Sequence, residues 1–532
     1  MSVADLPAVR PARFWATRRT ARVGRVAVHV AEVGAVAALM AWMVHARVRD
    51  LGVPLWIDEG ISLGIAGHPL SAIPGLLRED GAPPLFYVIL HGWTSLFGAT
   101  PRSGHALSLT FAVLAVPAAW WAARAPFGPY AAVLAAALVA LDPFAGTYAI
   151  EIRMYSLLLL TGLLACGTFV RAYALVDGDR RWAAAFAVAL AATLYTHNWG
   201  LFIAAACGVA WLALLAVRPG AARRSLLIAG VIGFGGALAL FAPWVPTVLY
   251  QARHTGAPWS HAPSWASVGN ATRHVLGGHV PETVLLLLAL AGAGTLLRPV
   301  SAPRARAALT LAAITVLTFA IAYAWSNLSS PAWATRYLAI VLAPMALVLA
   351  AGLSRLGPVA VVALAVVFLG TWYDQPTHAS LAHKSNAAFV ARRLGSTLPP
   401  GTLVFSTQPE QVPLLAMSLP PGLRYVTPLG DVTDPHVMDW RNAMDRISRP
   451  EAGLRFVRLV DALHPGQRLL LIQPRFGTPT APWTRRVGYL AGKVNREVLT
   501  DPRLKVLASA VPHRGFTRAT VSGRLLERTA AR

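Results

Sequence analysis

Charge is scarce in this chain. Only 13% of its 532 residues are Asp, Glu, Lys or Arg, against about 25% in soluble globular proteins. Acids are the rarer sign, 23 Asp+Glu against 47 Lys+Arg. With 56% hydrophobic residues and a mean hydropathy of +0.53, this scarcity excludes a disordered chain and a wholly water-soluble enzyme. Cysteine is nearly missing. Cys166 and Cys207 both lie in apolar runs, where packing explains them and a disulfide scaffold does not. Lysine is almost as rare: Lys384, Lys493 and Lys505 are the only three. No phosphate-binding glycine loop and no GxGxxG motif is present, so no nucleotide site is written in the sequence. No internal repeat of the transporter kind is visible.

What remains is a polytopic membrane protein with a water-facing appendage. The formal net charge of +24 is carried almost entirely by arginine. Over the first 360 residues these arginines fall in short clusters between apolar runs. That is the positive-inside pattern rather than a nucleic-acid-binding face. The Arg-rich, Lys-poor composition points to a GC-rich bacterial genome.

The first apolar run, 26–48, follows Arg10, Arg13, Arg18, Arg19, Arg22 and Arg25. It is long enough to cross a hydrocarbon core of ~30 Å and longer than a signal-peptide core. It predicts an uncleaved first helix behind a cytoplasmic tail, 1–25. Residues 50–104 mix acids, Pro, Gly and short apolar stretches, which predicts helices lying on the outer interface. Further spans are predicted at 105–123, 128–148, 155–172, 182–196, 199–217, 225–245, 283–297, 307–325, 337–354 and 357–373. Alternate loops carry Arg124, then Arg171, Arg180 and Arg181, then Arg218, Arg223 and Arg224, then Arg298, Arg304 and Arg306, then Arg355. The opposite set carries Asp58, Glu59, Glu79, Asp80, Glu151, His197, His254 and Trp259. About eleven crossings follow, with the N-terminus cytoplasmic and the C-terminus outside. From about 375 the apolar runs shorten, as in 402–406, 423–426 and 469–472. They alternate with helix-like stretches at 385–394, 438–447, 454–463 and 483–499. This pattern predicts a small α/β domain. The expected architecture is therefore an all-α polytopic domain, 26–374, with a first outer loop 50–104, followed by an extracytoplasmic α/β domain, 375–532.

The few carboxylates collect on one predicted side. Any one acidic pair in a loop reads as a solvated face, but three acidic sites at one interface of an acid-poor chain read as chemistry. An interfacial carboxylate can act as general base towards a hydroxyl. Arg and Tyr beside it can hold a phosphate by charge-assisted hydrogen bonds. That combination suits transfer of a group carried on a lipid phosphate.

Five segments occur in order: Asp58-Glu59; Asp80-Gly-Ala-Pro-Pro-Leu-Phe-Tyr87 with Trp93 and Leu96-Phe-Gly98; Glu151-Ile-Arg-Met-Tyr-Ser-Leu157; Tyr195-Thr-His-Asn-Trp199; and Pro331-Ala-Trp-Ala-Thr-Arg-Tyr337. Together they resemble the GT-C superfamily of membrane glycosyltransferases. The likeness is to the family-39-like enzymes related to protein O-mannosyltransferases and lipid A aminoarabinose transferases, and it covers about 25–375. The resemblance implies transfer of a sugar from a polyprenyl-phosphate donor to a cell-envelope glycan, glycolipid or protein. It implies an inverting reaction on the outer face of a bacterial plasma membrane, with no nucleic-acid partner. It also implies that Asp58 is the base, that Glu59 completes the acidic pair, and that Asp80 positions the acceptor or a cation. Glu151, Arg153 and Tyr155 would lie near the donor head group, and Arg336 and Tyr337 would meet the lipid phosphate. The chain departs from the family pattern at two places. Ala82 precedes Pro83-Pro84 where His is frequent, and His105, with Arg102 close by, stands where Arg is usual. His197 and Asn198, at an outer helix end, read either as sugar-binding groups or as a polar helix terminus. Asp142, before Pro143, reads either as the cap of a broken helix or as a site residue. Asp58 and Asp80 alone make an incomplete oxygen shell, so a divalent cation is left open and no cofactor is certain. The rival readings are a transporter or flippase of a lipid-linked substrate and a non-catalytic glycan-binding scaffold.

Overall fold

The computed structural model describes residues 13–299, 302–396, 398–477, 481–511 and 520–530, with side chains described from Val26 onward. Residues 1–12 of the expected tail at 1–25 lie outside the described residues, and 13–25 belong to the first helix. Helix α1 (Arg13–Arg47) begins well before the predicted span. Its valines at 26, 28, 30 and 33 are exposed, a surface for which hydrocarbon is the natural solvent.

The next segment holds three short helices, α2 (Ile57–Ala66), α3 (Ile73–Asp80) and α4 (Leu85–Phe97). Helices then stand at every predicted span. Seven segments are long and apolar enough to cross a membrane: Val26–Asp50, Pro101–Phe127, Tyr155–Ala174, Gly220–His254, His279–Leu296, Pro303–Leu328 and Thr335–Leu356. Pro129–Leu141, Arg180–Thr196, Gly200–Ala216 and Pro358–Trp372 are shorter. The chain is a multi-pass membrane protein. The span expected at 128–148 breaks at Asp142. Its Oδ1 accepts the Ala145 N–H at 2.9 Å and starts a new helix, Pro143–Tyr148, with Pro at the first position. This is the N-cap arrangement.

Burial separates the central helices from the peripheral ones. Within their most apolar windows, Tyr155–Ala174 is 89% and Thr335–Leu356 83% buried, whereas Val26–Asp50 is only 17% buried. The central two pack closely, with Gly162 against Ile340 and Ala343. Both begin at the same end of the bundle, because Tyr155 and Tyr337 lie with ring centroids 6.3 Å apart.

The C-terminal residues form one six-stranded sheet in the order β3-β2-β1-β4-β6-β5. The strands are β1 (Leu403–Ser406), β2 (Arg424–Thr427), β3 (Gly430–Asp431), β4 (Arg468–Pro474), β5 (Leu504–Ala510) and β6 (Val521–Arg528). β2, β1 and β4 run parallel, and the outer pairs are antiparallel. The continuous apolar run Leu469–Ile472 is wholly buried, as a strand covered on both faces requires. β5 and β6 were not predicted from the sequence. Lys505, Arg524 and Glu527 interrupt them, and β5 is mostly exposed, so neither carries a buried apolar run.

The sheet domain docks on α2. A methyl at Gly60 would approach the Leu414 backbone to 2.9 Å, and one at Gly64 would come within 1.9 Å of the His436 carbonyl oxygen. Neither backbone can yield without moving the domain. Gly64→Ala is expected to lower the melting temperature of the detergent-solubilised protein and speed proteolysis of the C-terminal region. Gly92→Ala, with no atom within 4 Å of its added methyl, is expected to be neutral in both measurements.

Candidate active site

Successive residues of a helix point about 100° apart, so Asp58 and Glu59 at the start of α2 face different surroundings. Glu59 is wholly buried. Its Oε1 accepts from the Ile152 N–H at 3.0 Å and from His105 Nε2 at 2.7 Å, and its Oε2 from the Trp56 N–H at 3.0 Å. Lys384 Nζ lies 2.8 Å from both oxygens. The other ring nitrogen of His105, Nδ1, lies 2.8 Å from the Leu51 carbonyl oxygen. A carbonyl oxygen only accepts, so Nδ1 donates to Leu51 while Nε2 faces the Glu59 carboxylate and the Lys384 ammonium. Burial pushes the Glu59 carboxyl up, but Lys384 and His105 outweigh it and hold the carboxyl at about 2.

Asp58 faces the other way. Its Oδ2 lies 3.8 Å from Arg336 Nη2 and 4.0 Å from Arg153 Nε, ion-pair distances rather than hydrogen bonds. The three side chains are 18%, 24% and 14% exposed, so the cluster is reachable. Arg153 Nη1 donates to Ser62 Oγ at 3.2 Å and to Tyr87 Oη at 3.0 Å. The Tyr87 hydroxyl donates in turn to Asp80 Oδ2 at 3.4 Å. Burial, together with the Asp58 charge and against the pull of Arg153, pushes the Asp80 carboxyl up to about 6. Tyr155 packs against Tyr148, His197 and Tyr337, and the His197 ring lies 4.5 Å from that of Tyr337. His197 Nδ1 accepts the Trp199 N–H at 3.0 Å. Burial, then the Arg153 and Arg336 charges, push its ring down to about 3, so it stays neutral.

Asp58 Oδ2, Arg153 Nε, Arg336 Nε and Tyr155 Oη are buried atoms without a hydrogen-bond partner among the described residues. Such atoms cost ~1–3 kcal/mol each when left unmade. Three of them, two guanidinium nitrogens and a phenol oxygen, belong to side chains that surround the fourth, the Asp58 oxygen.

The structure thus brings Asp58, Asp80, Arg153, Tyr155, His197, Arg336 and Tyr337 together. Three candidates stand apart from this cluster. Glu59, the second member of the acidic pair, is buried and fully bonded. His105, which stands where Arg is usual in the family, lies against Glu59. Arg102 is exposed and makes no contact with the cluster. Glu151 is buried in the loop before Arg153, and its carbonyl accepts the Ser108 hydroxyl at 2.6 Å. Asn198 donates to the Gly81 carbonyl at 3.0 Å, tying its helix corner to the chain beside Asp80. Sequence reasoning missed Lys384, whose signal was a lone lysine in an arginine-dominated chain, and Tyr87, which closed a quoted motif without being assigned a role. A divalent cation fits poorly. No three of His, Cys, Asp and Glu converge as a ligand set among the described residues, and Asp58 already faces two guanidiniums.

No protein-family model and no curated protein sequence matches the chain. Solved structures do. ArnT from Cupriavidus metallidurans bound to undecaprenyl phosphate aligns over 93% of this chain and 97% of that one, with TM-score 0.60 and 15% identity. The archaeal oligosaccharyltransferase AglB from Archaeoglobus fulgidus, in complex with an inhibitory peptide and a dolichol-phosphate, aligns over 83% and 69%, with TM-score 0.55 and 13% identity. The chain has the GT-C fold. Arabinofuranosyltransferase AftD from Mycobacteria shares it across 94% of this chain and 40% of its own, with TM-score 0.54 and 14% identity. In this chain the GT-C fold brings three helix starts to one place, at Ile57, Tyr155 and Thr335. Helix dipoles there favour an anion.

Removing one partner of a buried ion pair typically costs ~3–5 kcal/mol. Lys384→Met is expected to lose stability on that scale, and adding Glu59→Gln should recover part of it, measured by thermal unfolding in detergent. The folded carboxyl at about 2 lies below its ordinary value of 4.5. Its stabilisation is therefore present above pH 4.5 and drains away as pH falls towards 2. In Glu59→Gln that part of the acid limb should disappear.

Proposed function

We propose that the protein is an integral membrane glycosyltransferase. It moves a sugar from a polyprenyl-phosphate donor to a hydroxyl of a cell-envelope acceptor, whether glycan, glycolipid or protein, at the outer face of a bacterial plasma membrane. The observation that carries this reading is Asp58 held at ion-pair distance between Arg153 and Arg336, with Asp58 Oδ2, Arg153 Nε and Arg336 Nε lacking hydrogen-bond partners among the described residues. Membrane-bound prenyl phosphates are the anions that reach such a place, and two of the compared structures hold undecaprenyl phosphate and a dolichol-phosphate. The arginine distribution along the chain supports the assignment of this end of the bundle to the outside.

The chemistry follows from the charges. The donor phosphate, a diester, carries one negative charge and seats against the two guanidiniums and the Tyr155 hydroxyl. With its cations drawn to phosphate, Asp58 is released as a base. The acceptor hydroxyl attacks the anomeric carbon from the side opposite the phosphate. The new O–C bond forms, the C–O bond to phosphate breaks with its electron pair leaving on oxygen, and Asp58 takes the proton. The configuration inverts. The departing lipid phosphate gains a second negative charge, which Arg153, Arg336 and the helix starts stabilise. Asp80, protonated near pH 6 and below, and Tyr87 hold Arg153 in place.

Asp58→Asn keeps the shape and removes the base. Transfer from a panel of polyprenyl-phosphate sugars to envelope extracts should fall ~10²–10⁴-fold, with the melting temperature unchanged. Arg336→Gln should weaken undecaprenyl phosphate binding by tenfold or more in a direct titration. Wild-type transfer by Asp58→Asn would remove the assignment.

A further inference from the structure

The constellation of unused polar atoms continues beyond Asp58 into the C-terminal domain. α2 lies against Pro409–Gln411 and the short helix Val412–Ala416. Glu410, in that segment, is buried, with 6% of its surface exposed. Its Oε1 accepts from Gln408 Nε2 at 2.8 Å and from Trp483 Nε1 at 2.9 Å. Its Oε2 has no partner among the described residues. Burial, with a smaller push from the Asp58 charge, holds this carboxyl above its usual range against the hydrogen bonds from Gln408 and Trp483. The helix that packs on this segment is the one whose first turn carries Asp58. Trp483 meets Trp440 edge to face at 5.1 Å, and Trp440 meets Trp259 at 4.4 Å. Trp259 Nε1 and Gln411 Oε1 are also buried and unpartnered.

Structure alone does not account for this arrangement. One oxygen of Glu410 suffices to orient Trp483, and the other is left buried at a cost. Two unused acceptors and one unused indole donor beside aromatic rings match one ligand chemistry. A sugar ring lays its C–H face on an aromatic side chain and offers hydroxyls that both donate and accept. We propose that Glu410, Gln411 and Trp259, carried on the Trp259–Trp440–Trp483 cluster, form the subsite that holds a sugar ring beside Asp58. This inference rests on the transferase reading and extends it, since the recognition groups come from the C-terminal domain. The ring belongs either to the donor or to an acceptor glycan, and the chemistry is the same for both.

Glu410→Gln keeps the size and the oxygen that holds Trp483, and Trp259→Phe keeps a ring and removes the N–H. Each variant is assayed with the polyprenyl-phosphate sugar panel and envelope extract, alongside titration with undecaprenyl phosphate alone. The expected result is a tenfold or greater rise in KM for one sugar-bearing substrate, with the affinity for undecaprenyl phosphate and the melting temperature unchanged. A rise in donor KM assigns the ring to the donor, and a rise in acceptor KM assigns it to the acceptor. Both KM values within twofold of wild type in both variants overturn the subsite while leaving the transferase reading intact. If Glu410→Gln fails to fold, Trp259→Phe decides by the same values. If the wild-type protein neither binds undecaprenyl phosphate nor transfers any sugar, the transferase reading falls and the subsite falls with it.

Discussion

A single buried carboxylate organises this protein. Glu59 has no solvent, so its charge must be met by protein groups or lost. It is met by Lys384 from beyond the last apolar helix, His105 from the helix Pro101–Phe127, the Ile152 amide from the loop before Tyr155, and the Trp56 amide from its own helix start. Each partner lies on a different segment. Satisfying one charge therefore fixes the relative positions of four stretches of chain, far more specifically than apolar contact would. A buried ion pair contributes little net stability over a well-packed apolar substitute, and positional specificity is its better-attested use.

What that anchoring positions is the next residue. Asp58 shares a helix turn with Glu59 but faces two guanidiniums at ion-pair distance instead of a closed set of hydrogen bonds. The same Glu59 bond to the Ile152 amide places Arg153 one residue further along. The neighbouring carboxylates thus divide the work by environment. One is saturated and inert, and the other is left underpaired and accessible. Asp80, buried and pushed upwards, is a third case. Three acids of ordinary intrinsic strength acquire three different behaviours from burial, charge and hydrogen bonding.

The C-terminal domain is part of this organisation rather than an appendage. Lys384 neutralises the anchor, Gly60 and Gly64 let the domain press directly onto α2, and the segment that carries Glu410 packs on the same helix. The helical half brings charge to one end of its helices, and the sheet half packs against that end.

The sequence by itself determined what local chemistry dictates. Apolar length and arginine spacing set out the helices, the short apolar runs marked the three central strands, and ordered acid, arginine and tyrosine motifs marked Asp58, Asp80, Arg153, Tyr155 and Arg336 as candidates. It named Asp58 over Glu59 only through the family resemblance, because adjacent acids are alike until their partners arrive from elsewhere in the chain. It gave Lys384 and Glu410 no role, since neither lies in a motif, and Lys384 gains its meaning from Glu59, 325 positions away. Strands β5 and β6 were hidden for a related reason: strands interrupted by charged residues show no apolar run. Only tertiary structure decided which acid is locked, which is left underpaired, and which segments supply the contacts. Burial and pairing are properties of the folded assembly, not of any segment within it.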